Sequence, residues 1–150
     1  MIRDEIKAAQ IAAMKARDTV TVNATRLIQA AIKNRDIELR TASTTPDDDL
    51  TVTEVLQKMI KQRRESIEMF EKGGRQELAD AEKAEVTVIE RFLPAQMSEA
   101  DTALAIDAIA TELDATSVKD MGRVMAALKE RHAGQLDMSK ASALVKARLS

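Results

Sequence analysis

Three charged residues stand where the helical periodicity of the chain calls for apolar ones. Successive residues of a helix turn by about 100°, so each helix presents a definable face. Arg35 falls between Ile28 and Leu39 in one apolar stripe, and Arg63 between Met59 and Phe70 in a second. Glu85 falls in a third, flanked by Leu78, Ala81, Val88, Ile89 and Phe92. A lone charge inside a protein costs several kcal/mol even after relaxation, so such groups are normally paired. Two arginines and one carboxylate on facing stripes therefore predict an internal ion cluster in which Glu85 bridges Arg35 and Arg63. Glu82, near the edge of the same stripe, offers a second carboxylate. The cluster has two uses: it fixes helix register, its arginines reaching toward water, or it takes an anionic ligand, a phosphate or a carboxylate.

Two further sets of cations lie on outer helix faces. Arg26, Lys33 and Arg40 are spaced seven apart, and Lys58, Lys61 and Arg64 share a second face. Either row has the charge to hold a nucleic-acid backbone. The second is interleaved with Glu54, Glu65, Glu68 and Glu71, which predicts Glu54–Lys58 and Glu68–Lys72 pairs and an ordinary solvated face.

Other chemistry is excluded by absence. The chain has no cysteine, hence no disulfide, thiolate nucleophile or zinc thiolate. Its single histidine, His132, sits beside Gly134 and reads as a cation at a helix C-terminus. No nucleophile elbow, phosphate-binding loop or dinucleotide motif occurs. Asp47, Asp48 and Asp49 lack the alternating ligand pattern of a calcium loop and suit a helix N-terminus. No metal and no cofactor are therefore expected. Phe70 and Phe92 are the only aromatic residues, too few for stacked-base platforms. The charge sum, 23 Lys+Arg against 25 Asp+Glu for a net of −2, tells against binding nucleic acid by bulk charge. Neither a signal peptide nor a membrane span is legible, so no membrane partner and a cytoplasmic location are the default expectations.

The elements that must position these residues are helices. Four glycines and two prolines punctuate 150 residues rich in Ala, Leu, Ile, Met, Glu and Lys, and no segment alternates as a strand would. Helices are predicted over about 2–16, 19–40, 51–72, 75–93, 98–113, 117–132 and 137–150. Asp18 caps the second, a Thr51-x-x-Glu54 capping box opens the third, and Gly73-Gly74 stops it. Pro94 ends the fourth, and Ser98 and Ser117 cap the next two. Ala24, Leu27, Ile28, Ala31, Ile32 and Leu39 form the core stripe of the second helix. The fold expected is all-α: an N-terminal bundle of long helices over 1–94, then a small three-helix domain over 95–150.

Three blocks carry a family resemblance. AAIKNRDIEL (30–39), LQKMIKQRRESIEMFEKGGRQELADAEKAEVTVIERFLPAQMS (56–98) and KDMGRVMAALK (119–129) resemble the GatB/YqeY family, in order and over nearly the whole chain. The glutamate-rich helix ending in Phe-Leu-Pro-x-Gln and the later Asp-Met-Gly-x-Val-Met are its joint signatures. The resemblance is to a stand-alone YqeY-like protein, with kinship to the C-terminal tail of the B subunit of the glutamine-dependent Asp/Glu-tRNA amidotransferase. It implies a tail associated with holding tRNA, and a family label of carbon–nitrogen ligase with glutamine as amido-nitrogen donor. The chain itself shows no catalytic constellation. Three roles follow: a non-catalytic tRNA- or RNA-interacting module, an adaptor docking an amidotransferase or synthetase, or a ligase subunit active only in complex.

Overall fold

A computed structural model describes residues 1–43 and 46–150; Thr44 and Thr45, in the expected loop 41–49, lie outside the described residues. The described residues hold seven α-helices and no strand. The chain divides into two compact units, Met1–Leu93 and Pro94–Ser150.

The first unit contains α1 (Ile2–Ala16), α2 (Thr19–Leu39), α3 (Asp48–Lys72) and α4 (Gln76–Glu90). Arg17, in the left-handed region at φ 58°, ends α1, and the Asp18 side chain accepts from the Thr21 N–H to start α2. α3 begins a turn earlier than its sequence suggests. Asp47, not Thr51, is the N-cap, and its carboxylate accepts from the Asp49 N–H. Negative charge is favoured at this end of a helix, so three successive aspartates extend it outward and leave Thr51 buried inside the first turns. Gly74, at φ 72°, makes the turn into α4, which packs more extensively on α3 than any other pair of elements does. α4 stops at Glu90, before the expected Leu93.

The core of this unit gathers Ile6, Ile28, Val52, Leu56 and Ile89, each fully buried. Leu27, Leu78 and Ala81, read as stripe residues in the sequence, are exposed. Leu27 is 45% exposed, because the buried face of α2 is centred on Thr21, Ala24, Thr25, Ile28 and Ile32. The threonines are buried at little cost, since Thr25 Oγ1 donates to the Thr21 carbonyl at 2.7 Å and Thr21 Oγ1 to Asp18 at 2.6 Å. On α4, Ala79 is inside and Leu78 is 36% exposed.

The second unit contains α5 (Glu99–Glu112), a single 3₁₀ turn (Val118–Asp120), α6 (Met121–Arg131) and α7 (Met138–Leu149). Ser98 caps α5 by accepting from the Asp101 N–H at 3.0 Å, and Ser117 and Asp120 form a reciprocal capping box. Asp137 caps α7 through the N–H groups of Ser139 and Lys140. Ile106, Ile109, Val124, Leu128 and Val145 fill its core.

Candidate nucleic-acid interface

The three charges expected to cluster do not all meet. Arg63 of α3 donates from Nε to Glu85 Oε2 of α4 at 2.8 Å, with side chains 16% and 29% exposed. Arg35 stays on its own helix, where its Nη1 donates to Glu38 Oε2 at 2.9 Å. The expected three-residue cluster is thus corrected to the Arg63–Glu85 pair, without Arg35. The reason is local: a carboxylate three residues along the same helix lies within reach of a half-exposed guanidinium without any desolvation. Glu82 Oε2, on α4, is buried with no hydrogen-bond partner among the described residues.

The ion cluster that ties the helices together centres on Arg3 and Asp36, which the sequence reading passed over. Arg3 of α1 forks onto Asp36 of α2, at 2.8 and 3.0 Å, and onto Asp48 of α3, at 2.8 and 3.3 Å. The Ile2 N–H donates to Asp49 at 3.0 Å beside it. Two of the three loop aspartates are therefore tethers between helices. The Arg3 guanidinium holds the Asp36 carboxyl below its usual value, with a smaller contribution from Arg40. The pairing was hidden because Arg3 lies among acids near the chain start and follows no stripe.

The two outer faces differ in how their cations are partnered. Arg26, Lys33 and Arg40 are exposed along α2 and its end, and among the described residues none of them forms an ion pair. α2 carries two acids, Asp36 and Glu38, and both are occupied by arginines, Arg3 and Arg35. The two acids of α2 are thus already paired, and its exposed cation row has no ion-pair partner among the described residues. On α3, Arg64 reaches Glu90 of α4 at 3.3 Å and Lys61 is also engaged. Glu68 and Lys72 pair at 2.8 Å, whereas among the described residues no Glu54–Lys58 ion pair forms. Of the Lys58, Lys61 and Arg64 face, Arg64 is paired with a carboxylate and Lys61 is engaged, while Lys58 forms no ion pair among the described residues.

In the second unit the arginines are likewise paired, Arg131 with Glu112 at 2.7 and 2.8 Å and Arg148 with Asp107 at 2.7 Å. Arg123 bonds Asp120, and it holds that carboxyl below its ordinary value together with the Thr116 N–H. His132 is the C-cap of α6, its N–H donating to the Leu128 carbonyl. Among the described residues no three His, Asp or Glu side chains converge as metal ligands, and no helix is long and apolar enough to cross a membrane.

An all-helical protein organised around helix-tethering ion pairs, with an exposed row of cations on α2 that forms no ion pair among the described residues, is the class these features define. The chain belongs to the YqeY-like protein family, whose model matches residues 3–149. Among similar proteins is "Altered inheritance of mitochondria protein 41, mitochondrial" of Eremothecium gossypii, 34% identical over 106 residues, 69% of this chain and 56% of that one. The protein of the same name from Lachancea thermotolerans is 31% identical over 104 residues, 67% of this chain and 54% of the relative. The chain thus spans little more than half the length of these relatives. Their names also correct the cytoplasmic default: relatives named as mitochondrial overturn an expectation that rested only on no signal peptide being legible.

Proposed function

We propose that this YqeY-like chain is a non-catalytic module that contacts RNA through the outer face of α2, with Arg26, Lys33 and Arg40 on the phosphates. The observation that carries this is the contrast between rows. Arg26, Lys33 and Arg40 are left without carboxylate partners among the described residues, while Arg64 of the other row is paired and Lys61 is engaged. Cations already paired must break their own bonds before they meet a phosphate, so the free row binds first. The kinship with the amidotransferase tail makes tRNA the first RNA to try. Amide transfer and ATP-dependent activation would then belong to a partner.

A second reading, an adaptor for an amidotransferase or synthetase, draws on a different surface. α5 buries Ile106 and Ile109 on one side yet leaves Leu104 67% exposed on the other, an apolar residue with nothing covering it.

Titration of the protein with total tRNA at low and moderate salt tests the first reading. Binding is expected to fall about 40-fold between 50 and 200 mM salt if three phosphates are neutralised. The Arg26→Glu, Lys33→Glu double variant is expected to abolish it. Absence of binding even at low salt rejects the RNA module and turns attention to capture of amidotransferase subunits. Glutaminase activity from the purified chain would contradict the non-catalytic role outright.

A further inference from the structure

We infer that the ligand of α2's outer face is double-helical RNA in preference to single-stranded RNA, an inference that rests on the RNA reading proposed above. The face is a single line: Arg26, Ala30, Lys33, Ile37 and Arg40 follow one another at steps of four and three, and all five are exposed. Such spacing keeps residues on one side of a helix. α2 runs unbroken over 21 residues and contains neither glycine nor proline. The backbone positions of Arg26 and Lys33 are therefore about 10 Å apart along a rigid rod, with Arg40, the C-cap, about 21 Å from Arg26.

A rigid row suits a rigid ligand. A flexible strand must lose chain entropy to place three phosphates on fixed points, and proteins that hold single strands recover that cost by stacking bases on aromatic rings. This chain has no Trp or Tyr; Phe92 is 8% exposed in the core, and Phe70 is half-buried on α3. The bases of a single strand would find no platform here. A duplex has already ordered its phosphates and turned its bases inward, so it asks only for cations at fixed intervals.

The residues between the cations fit the same surface. Ala30 is small, and Ile37 is apolar and 45% exposed, so neither places a carboxylate against a phosphate. The shallow minor groove of A-form RNA presents ribose edges and 2′-hydroxyls between its phosphate rows, and it admits a helix surface without a deep side chain. The two α2 acids that would repel it, Asp36 and Glu38, are neutralised by Arg3 and Arg35.

The test compares two labelled RNAs, a duplex of about 24 base pairs and one of its strands chosen to lack self-structure, by fluorescence anisotropy with the full chain. The duplex is expected to bind at least about ten-fold tighter at low salt, with a log–log salt slope near −2.7 for three contacts. Ile37→Glu, at an exposed position that leaves the core intact, is expected to weaken the duplex about ten-fold, and Lys33→Gln to flatten the slope by about one. Equal binding of the two RNAs, or tighter binding of the strand, overturns the duplex inference while the RNA reading stands. Binding of neither overturns both.

Discussion

Replacing Arg3 with leucine removes the one side chain that holds α1, α2 and α3 by ion pairs at a common point. Four hydrogen bonds are lost, two to Asp36 and two to Asp48, and both carboxylates are left without their cation. Charge-assisted bonds contribute about 1.5–3 kcal/mol when well buried, but the three side chains are 33–41% exposed, which brings the figure down. A loss of about 1–2 kcal/mol is expected, or about 6–12 °C in the melting of the Met1–Leu93 unit. The pH dependence follows from the direction of the shift. Asp36 titrates below its ordinary value in the folded chain, so its contribution is complete above about pH 4 and is lost as pH falls through the lowered folded value. Urea unfolding of the wild type and the variant, followed by circular dichroism at pH 7 and pH 3, measures both effects. The two curves are expected to lie well apart at pH 7 and to draw together at pH 3. A variant within about 0.3 kcal/mol of the wild type at pH 7, or a gap unchanged at pH 3, refutes the assignment of Arg3 as a stabilising tether.

Two other substitutions probe the same framework. Glu85→Leu leaves the Arg63 guanidinium, 16% exposed, without its carboxylate and is expected to destabilise by about 1–3 kcal/mol, whereas the Arg63→Met, Glu85→Leu double variant recovers most of that in thermal melts. Gly74→Ala meets no steric obstruction but must adopt φ 72°, so chemical denaturation is expected to show a loss of about 1–2 kcal/mol.

The helices were legible because their ends are written locally. Asp18, Ser98 and Asp137 each supply an acceptor to the N–H groups that a helix start leaves free, and Gly74 and Gly134 supply positive φ at its exits. Partner choice was legible only in part. Arg63 and Glu85 are drawn together because α3 and α4 are joined by a tight glycine turn. For Arg35 a helical wheel names a direction and ranks no partners, so it gives no weight to Glu38, one turn away in the same helix. Thr21 and Thr25 were passed over as core residues because their hydroxyls look polar in sequence and are satisfied at Asp18 and at backbone carbonyls in the fold. Arg3 carried no periodic signal at all. Its role depends on three helix starts and ends converging, which spacing along one helix does not encode.

Net charge is a poor guide to what this chain can bind, and the pairing pattern explains why. The sum of −2 counts every carboxylate as free to repel an anion. Asp36, Glu38, Glu85, Glu90, Asp107 and Glu112 are each held by an arginine, so the field they project is short-ranged and cancels within a few ångströms. A cation row without such partners keeps its field outward, even on a chain whose total is slightly acidic. Arg3, which cross-ties the helices, and Arg35, within α2, thus occupy the two carboxylates of α2. Arg3 links the two roles: its loss frees Asp36, whose carboxylate already feels Arg40, and some of Arg40's attraction for a phosphate is then spent internally. Arg3→Leu is accordingly expected to weaken RNA binding by a few-fold without touching any residue of the row, as steady-state anisotropy at low salt measures. Binding unchanged by Arg3→Leu, in a chain that binds RNA, would separate the tether from the interface.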